Sequence, residues 1–379
     1  ESADKLSRQS SATSPAFGDV RINTDSESER FRQQYADVGV FPDDKYVVVW
    51  EDDRNGDFDI YAQIFAADDQ PLGGNVQLVA DTYFVDQRMP SCDIDVGGNL
   101  VVAWVDEDGN LYGRIFDEGL NPITDKFKVN DNPGENLCNL PDVAFLSGSV
   151  VGFVWEDSRE TQNIYCQLYD DFYEPINSNF QINTSIPNSS FWSPQIISGG
   201  GSGFAVSWDA LTSSGVGILM RVYANDGIPI SGLISLPDPA SGTHDRFQTS
   251  LSHLDETGYA ALWIDTRDGG QVVYGQIIDY SGNKNGSNFA ICDNLDYVSW
   301  DVSSAESGNG SLLVVWASYG PRAEILGTRL TAQGDRDGSN ITISDPALFL
   351  DRFYPKADIG DNDLPVVVWT DLRDAEHDT

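Results

Sequence analysis

A tryptophan followed two residues later by aspartate and four later by arginine occurs four times. The copies are Trp50-Glu-Asp52-Asp-Arg54, Trp155-Glu-Asp157-Ser-Arg159, Trp263-Ile-Asp265-Thr-Arg267 and Trp369-Thr-Asp371-Leu-Arg373. An aspartate so placed can accept the backbone amides of a turn, and the arginine offers a planar fork to a carboxylate or a neighbouring loop. A second recurrence puts arginine beside an aromatic or long apolar residue: Glu29-Arg30-Phe31, Gln87-Arg88-Met89, Asp245-Arg246-Phe247 and Asp351-Arg352-Phe353, with Phe191-Trp192 and Ser299-Trp300 at the matching places. Arg30, Arg88, Trp192, Arg246, Trp300 and Arg352 therefore form the candidate ligand-binding set, able to grip a glycan or a peptide. Their even recurrence weighs towards a structural role, with each arginine pairing an aspartate of the adjacent unit.

Metal chemistry has one set of candidates. Asp52, Asp53, Asp57 and Asp59 crowd one loop, and Asp106, Asp108 and Asn110 crowd another. Hard oxygens at alternate positions suit calcium. Neither loop has the spacing of an EF-hand, and Asp and Asn are ordinary turn residues, so no cofactor is expected and calcium is the open alternative. Catalytic machinery is harder to find. The only histidines are His244, His253 and His377, and there is no HExxH, G-x-S-x-G or phosphate-binding glycine loop. Carboxylates are so numerous that a glycosidase pair cannot be picked out from spacing.

The elements that position these residues follow from a period. Trp50, Trp104, Trp155, Trp208, Trp263, Trp316 and Trp369 each close a short apolar run, at intervals of 54, 51, 53, 55, 53 and 53 residues. Runs such as Tyr-Val-Val-Val-Trp50 and Leu-Val-Val-Ala-Trp104 read as buried strands. A second run follows about nine residues later, as in Asp59-Ile-Tyr-Ala-Gln-Ile-Phe65, and alternates like a strand with one wetter face. A turn, a third run and a weaker run before the next tryptophan strand complete four strands per unit. Hairpin-linked strands repeated radially predict an all-β, seven-bladed β-propeller of four-stranded antiparallel blades, centred on the seven tryptophans.

Closure of the ring is also predicted. Gly18-Asp-Val-Arg-Ile-Asn-Thr24 matches outer strands such as Asn179-Phe-Gln-Ile-Asn-Thr184. Residues 18–24 are thus expected to be the outer strand of the last blade, residues 1–17 a tail or linker, and 18–379 the propeller. The alignment leaves the last blade incomplete at Thr379, so a further C-terminal domain or a partner chain is expected to complete it.

Composition bounds the setting. The formal net charge is −38, and 40% of the 379 residues are hydrophobic. An acidic surface repels phosphate, which excludes nucleic acid and disfavours an anionic membrane. It also keeps a protein soluble by self-repulsion. No run of 18 apolar residues is present, so no transmembrane segment is expected. A start at Glu1 reads as a processed mature end. Cys92, Cys138, Cys166 and Cys292 lack any C-x-x-C spacing, which argues against zinc. Four buried thiols are the plain reading, and a Cys92–Cys138 bridge the sharper one.

The unit V-V-W-E-D-x-R-x-G-D-x-D-I-Y-A-Q-I-F of residues 48–65 resembles repeats in secreted and cell-surface β-propeller proteins of bacteria. The resemblance covers nearly the whole chain and implies an extracellular adhesion or scaffolding module. Sialidase-type S-x-D-x-G-x-T-W boxes are missing. The expected function is therefore a non-catalytic interaction module at the cell surface, binding protein or polysaccharide. The alternative is a carbohydrate-active enzyme, a hydrolase or lyase, using acids at the channel mouth.

Overall fold

The computed structural model describes residues 19–23, 31–79, 85–131, 138–147, 150–159, 161–183, 189–201, 203–212, 215–238, 244–254, 257–292, 298–319, 323–345, 352–360 and 362–371. Within them every regular element is a strand, and no helix is long and apolar enough to cross a membrane. The strands form six four-stranded antiparallel meanders and one two-stranded sheet. In each meander the strands, here a to d from the axis outwards, follow chain order.

The apolar runs become the b strands, among them Tyr46–Asp52, Val151–Asp157 and Gly258–Asp265, each buried along its whole length. They are continuous in Val, Ala and Leu because a neighbouring sheet covers each face. Packed clusters accordingly run between blades: Val47, Val49 and Ile60 of blade one join Val102 and Trp104 of blade two, and blade two joins Phe153 and Trp155 of blade three. Glycine is required where strand b begins. A Cβ on Gly203 or Gly258 would lie 1.9 or 2.0 Å from a strand c carbonyl oxygen, and both residues have positive φ, at 115° and 137°.

Seven four-stranded blades, expected from the seven tryptophans, are not what the structure contains. Six blades carry four strands, and the seventh tryptophan strand, Pro365–Asp371, pairs only with Arg352–Ile359. The reason lies in the ladder. The third strand is expected to be missing from this blade, and residues 372–379, which lead up to its place, lie outside the described residues, as do Gly18 and Thr24 of the expected outer strand. Residues 19–23 form no ladder. Burial reflects this: Trp104, Trp155, Trp208, Trp263 and Trp316 are fully covered, whereas Trp369 is half-buried. The two-stranded sheet lies between blade six, through the Tyr319 hydroxyl donating to the Arg352 carbonyl, and blade one, where Val366 and Val368 pack with Val48 and Trp50. Residues 1–17, read as a tail, fall outside the described residues.

Blades alternate in a way that the tryptophan period hides. The outer strands of blades one, three and five are Pro71–Gln77, Pro175–Gln181 and Lys284–Ala290. Those of blades two, four and six shrink to Phe127–Lys128, Ile234–Ser235 and Ile341–Thr342. In odd blades an asparagine of strand d reaches back to the preceding blade: Asn179 donates to the Val129 carbonyl at 3.0 Å and Asn288 to that of Leu236 at 3.1 Å. Asn75 does the same to Ile22, at 3.4 Å. The structural unit along the rim is a pair of blades.

Candidate functional site

Strand a is innermost in every sheet, so one of its edges turns unpaired backbone N–H groups towards the axis. Such an edge must find acceptors. Side chains of the preceding sheet supply them. Asp37 accepts the Cys92 N–H at 2.9 Å, Asp93 that of Phe145 at 2.6 Å, Asp142 that of Ile196 at 2.8 Å, and Asp358 that of Val40 at 2.7 Å. Ser303 serves Ala357 at 3.2 Å. Carboxylates thus stitch four of the sheet boundaries along the axis and Ser303 a fifth, and the cation Lys356 stands among them.

Enclosure sets their protonation. Burial pushes Asp93 up to about 8, with Asp358 and Asp142 adding repulsion and the Phe145 N–H opposing it. Burial likewise raises Asp142 and Asp358 to about 6. For Lys356 burial acts downwards, but Asp37 and Asp142 outweigh it and the ammonium sits above its ordinary value.

At the end nearest the b–c turns, every strand a carries a bulge. Its central residue is left-handed without being glycine: Tyr35 (φ 53°), Met89 (55°), Leu140 (41°), Ser193 (50°), Gln248 (55°), Asp301 (49°) and Tyr354 (53°). This conformation costs roughly 1–2 kcal/mol per residue. It is held from the neighbouring sheet. Glu51 accepts the Met89 N–H and Glu156 that of Ser193, both at 2.9 Å; Asp209 accepts Gln248 at 2.9 Å, the Gln248 side chain accepts Asp301 at 3.0 Å, and Asp301 accepts Tyr354 at 3.3 Å. The result is a ring of strained residues of different chemistry at the channel mouth. Tyr35 and Tyr354 meet within it, ring centroids 4.9 Å apart.

Beside this ring the W-x-D-x-R motifs form compact networks. The Trp155 indole donates to Asp157 at 2.9 Å, Arg159 clamps the same carboxylate at 2.9 and 2.7 Å, and its guanidinium lies 4.0 Å from the Tyr165 ring centroid. Burial would raise the Asp157 carboxyl, but the bonds from Arg159 and Trp155 outweigh it and hold it low. Trp50-Asp52-Arg54-Tyr61 and Trp263-Asp265-Arg267-Tyr274 repeat the arrangement.

The candidate ligand-binding residues are placed unevenly. Arg30 lies outside the described residues. So does the Trp300 side chain, although its backbone is in strand a of blade six. Arg88 is half-exposed, paired with Asp86 at 2.7 Å and stacked 3.8 Å over Phe58. Trp192 is half-buried beside Asp209, whose carboxyl it helps to stabilise. Arg246 pairs with Asp265 of its own blade at 3.1 Å, not with the next. Arg352 is wholly buried between Asp371 and Asp19 and bonds the carbonyls of Ala323 and Asp345, so it offers no surface to solvent.

Among the calcium candidates, Asp52 and Asp53 are engaged by Arg54 and Arg32, Asp59 accepts from Asn55, and Asp106 from Asn110. Asp57 is half-buried and Asp108 exposed. Among the described residues no three His, Cys, Asp or Glu side chains are arranged to hold a metal. Cys92, Cys138, Cys166 and Cys292 are buried and make no disulfide.

Sequence reasoning missed the axial carboxylates and the bulge ring. The first had a signal, since Asp93, Asp142 and Lys356 recur near the start of the weaker runs that precede the tryptophan strands. The second left only a trace, a proline after Met89, Leu140, Ser193 and Tyr354, because a left-handed bulge is defined by register between two strands.

No family model and no curated protein sequence matches the chain. Solved structures do. A protein of unknown function from Dyadobacter fermentans is 9% identical with a TM-score of 0.55, covering 81% of this chain and 96% of the other. The fold is a β-propeller. The propeller domain of the trilobed protease from Pyrococcus furiosus, described as having an open velcro topology, is 9% identical with a TM-score of 0.51 and coverages of 91% and 99%. The BP39L lectin from Burkholderia pseudomallei is 14% identical at 0.51, with coverages of 82% and 84%. At such identities the likeness is one of fold alone.

Proposed function

We propose that the propeller is a non-catalytic extracellular interaction module whose channel mouth binds a polysaccharide. The observation that carries this reading is the ring of left-handed bulge residues. The backbone of five of its residues, Tyr354 among them, is fixed by bonds from neighbouring blades, so their side chains are presented at little further entropic cost on binding. The Tyr35–Tyr354 pair offers aromatic faces for the apolar side of a sugar ring, while Gln248 and Asp301, bonded to each other and to the Tyr354 N–H, brace the backbone beneath it. Strain of this kind collects at ligand-binding faces, and here the side chain it carries differs from blade to blade. The net charge of −38 supports a setting outside the cell, and the lectin among the similar folds is compatible with the reading without arguing for it.

A glycan array followed by calorimetry on the strongest neutral oligosaccharide tests the proposal. Saturable binding without change to the glycan is expected. Cleavage of the bound glycan would replace this reading with the carbohydrate-active enzyme, and a stoichiometric protein partner with no glycan bound would replace the polysaccharide.

A further inference from the structure

On the same face as the mouth, between blades two and three, lies a cavity of about 560 Å³. It exists because the repeat breaks there. In blade one the b–c turn ends at Phe58, whose carbonyl accepts the Gln87 N–H of the next blade at 2.6 Å. The Phe58 ring fills the groove, with the guanidinium groups of Arg32 and Arg88 at 4.7 and 3.8 Å. In blade two the turn is shorter, and Gly109 stands in the corresponding place, its carbonyl accepting the Cys138 N–H at 2.9 Å. Asp108 occupies the position that Arg54 holds in blade one. Without the aromatic plug or the arginine, the groove stays open.

The lining is mixed. Met89 and Val105 give an apolar floor, Arg88 and Gln162 are donors, and Asp106 and Glu107 are acceptors near the rim. Several of these groups are already fixed: Arg88 by Asp86 at 2.7 Å, Gln162 by Glu156 at 3.2 Å, and Asp106 by the Asn110 amide at 2.8 Å. The volume falls in the range of small-ligand sites and suits one or two sugar residues. Charge then selects among sugars. Asp86 is paired with Arg88 and Asp157 with Arg159, which leaves Asp106 and Glu107 to set the charge near the opening, so an acidic sugar is repelled and a cationic one drawn in.

We propose that this cavity is a subsite for a sugar residue bearing a free amine, the ammonium facing Asp106 and Glu107 and the ring lying over Met89 and Val105. The inference rests on the reading of this face as glycan-binding and names the sugar class. Charge-assisted bonds to the amine supply the selectivity.

The test is calorimetry at low salt with the glucosamine trimer and its fully N-acetylated counterpart, in which the same rings carry no charge. The free-amine trimer should bind about tenfold more tightly, and Glu107→Lys should weaken it by about tenfold, since the variant reverses charge at an exposed position. Asp171→Lys, the same charge change on the far c–d turn, should leave binding unaltered. Equal binding of the two trimers, no binding of either, or an Asp171→Lys loss as large as that of Glu107→Lys would each overturn the subsite. The mouth has a separate readout: neutral oligosaccharide binding that is lost in Tyr354→Gly but indifferent to Glu107→Lys keeps the mouth reading even if the cavity fails. Amine binding that needs Glu107 while no neutral glycan binds keeps the cavity and removes the mouth.

Discussion

The carboxylate of Asp37 accepts the backbone N–H of Cys92 at 2.9 Å, across 55 residues and one blade boundary. It does so because strand a is an edge strand with nothing inside it. Loss of this acceptor leaves a buried inner-edge amide without its side-chain partner and removes a bond to a carboxylate. Asp37→Ala should therefore lower stability by about 2 kcal/mol, and Asp142→Asn, which keeps an acceptor oxygen, by less. Urea unfolding curves measure both, and equal costs would mean that the carboxylate charge, not the acceptor, is what matters.

The same acids set a pH dependence of unusual sign. Asp93 is raised by burial to about 8, and Asp142 and Asp358 to about 6, from an ordinary value of 3.8. The folded state then binds more protons than the unfolded state between pH about 4 and 8, so stability falls as pH rises through that window. Asp157 and Asp265, held low by Arg159 and Arg267, act in the opposite sense and are lost only below their unfolded value. The melting temperature should be higher at pH 5 than at pH 8. Asp93→Asn should flatten the upper part of that slope, and an unchanged slope would remove Asp93 as its source.

Asp157, buried with the Trp155 indole, ties that indole to the half-buried Arg159 and the b–c turn. Asp157→Ala strands a guanidinium and an indole N–H and should cost about 3 kcal/mol. Arg159→Lys keeps the charge but loses the fork and the stacking on Tyr165, and should cost about 1 kcal/mol. Thermal and denaturant unfolding of the two variants checks the order.

Tyr354 pairs a positive φ with the greatest exposure on its strand. Glycine at that position relieves the backbone and removes the ring. Tyr354→Gly should lose binding of a neutral oligosaccharide while its melting temperature stays level or rises. A fall in melting temperature alongside retained binding would make Tyr354 a packing residue.

Two local features show how far the chain could be read before folding. Trp155 and its counterparts announced the b strands because burial on both faces demands a continuous apolar run, and the period of about 53 residues then demanded a radial repeat. The W-x-D-x-R spacing announced a turn network, and it formed at Trp50, Trp155 and Trp263, while Arg373 of the fourth copy lies outside the described residues. Its restriction to odd blades hinted at the alternation later seen in outer strands Pro175–Gln181 and Phe127–Lys128.

What sequence alone determined was the strand repeat, since alternation and period are properties of neighbours along the chain. Tertiary structure decided the rest. It showed six four-stranded blades and a two-stranded sheet instead of a seventh blade closed by an N-terminal outer strand, because strand count depends on what pairs with the Trp369 strand, not on the tryptophan itself. It buried Arg352 while leaving Arg88 at the surface, although their sequence settings look alike, because Asp19 and Asp371 close around only one of them. It turned scattered aspartates into stitches between strands and raised a ring of left-handed residues at the mouth. These depend on groups some fifty residues apart meeting across a blade boundary, and only closure of one sheet against the next brings them together.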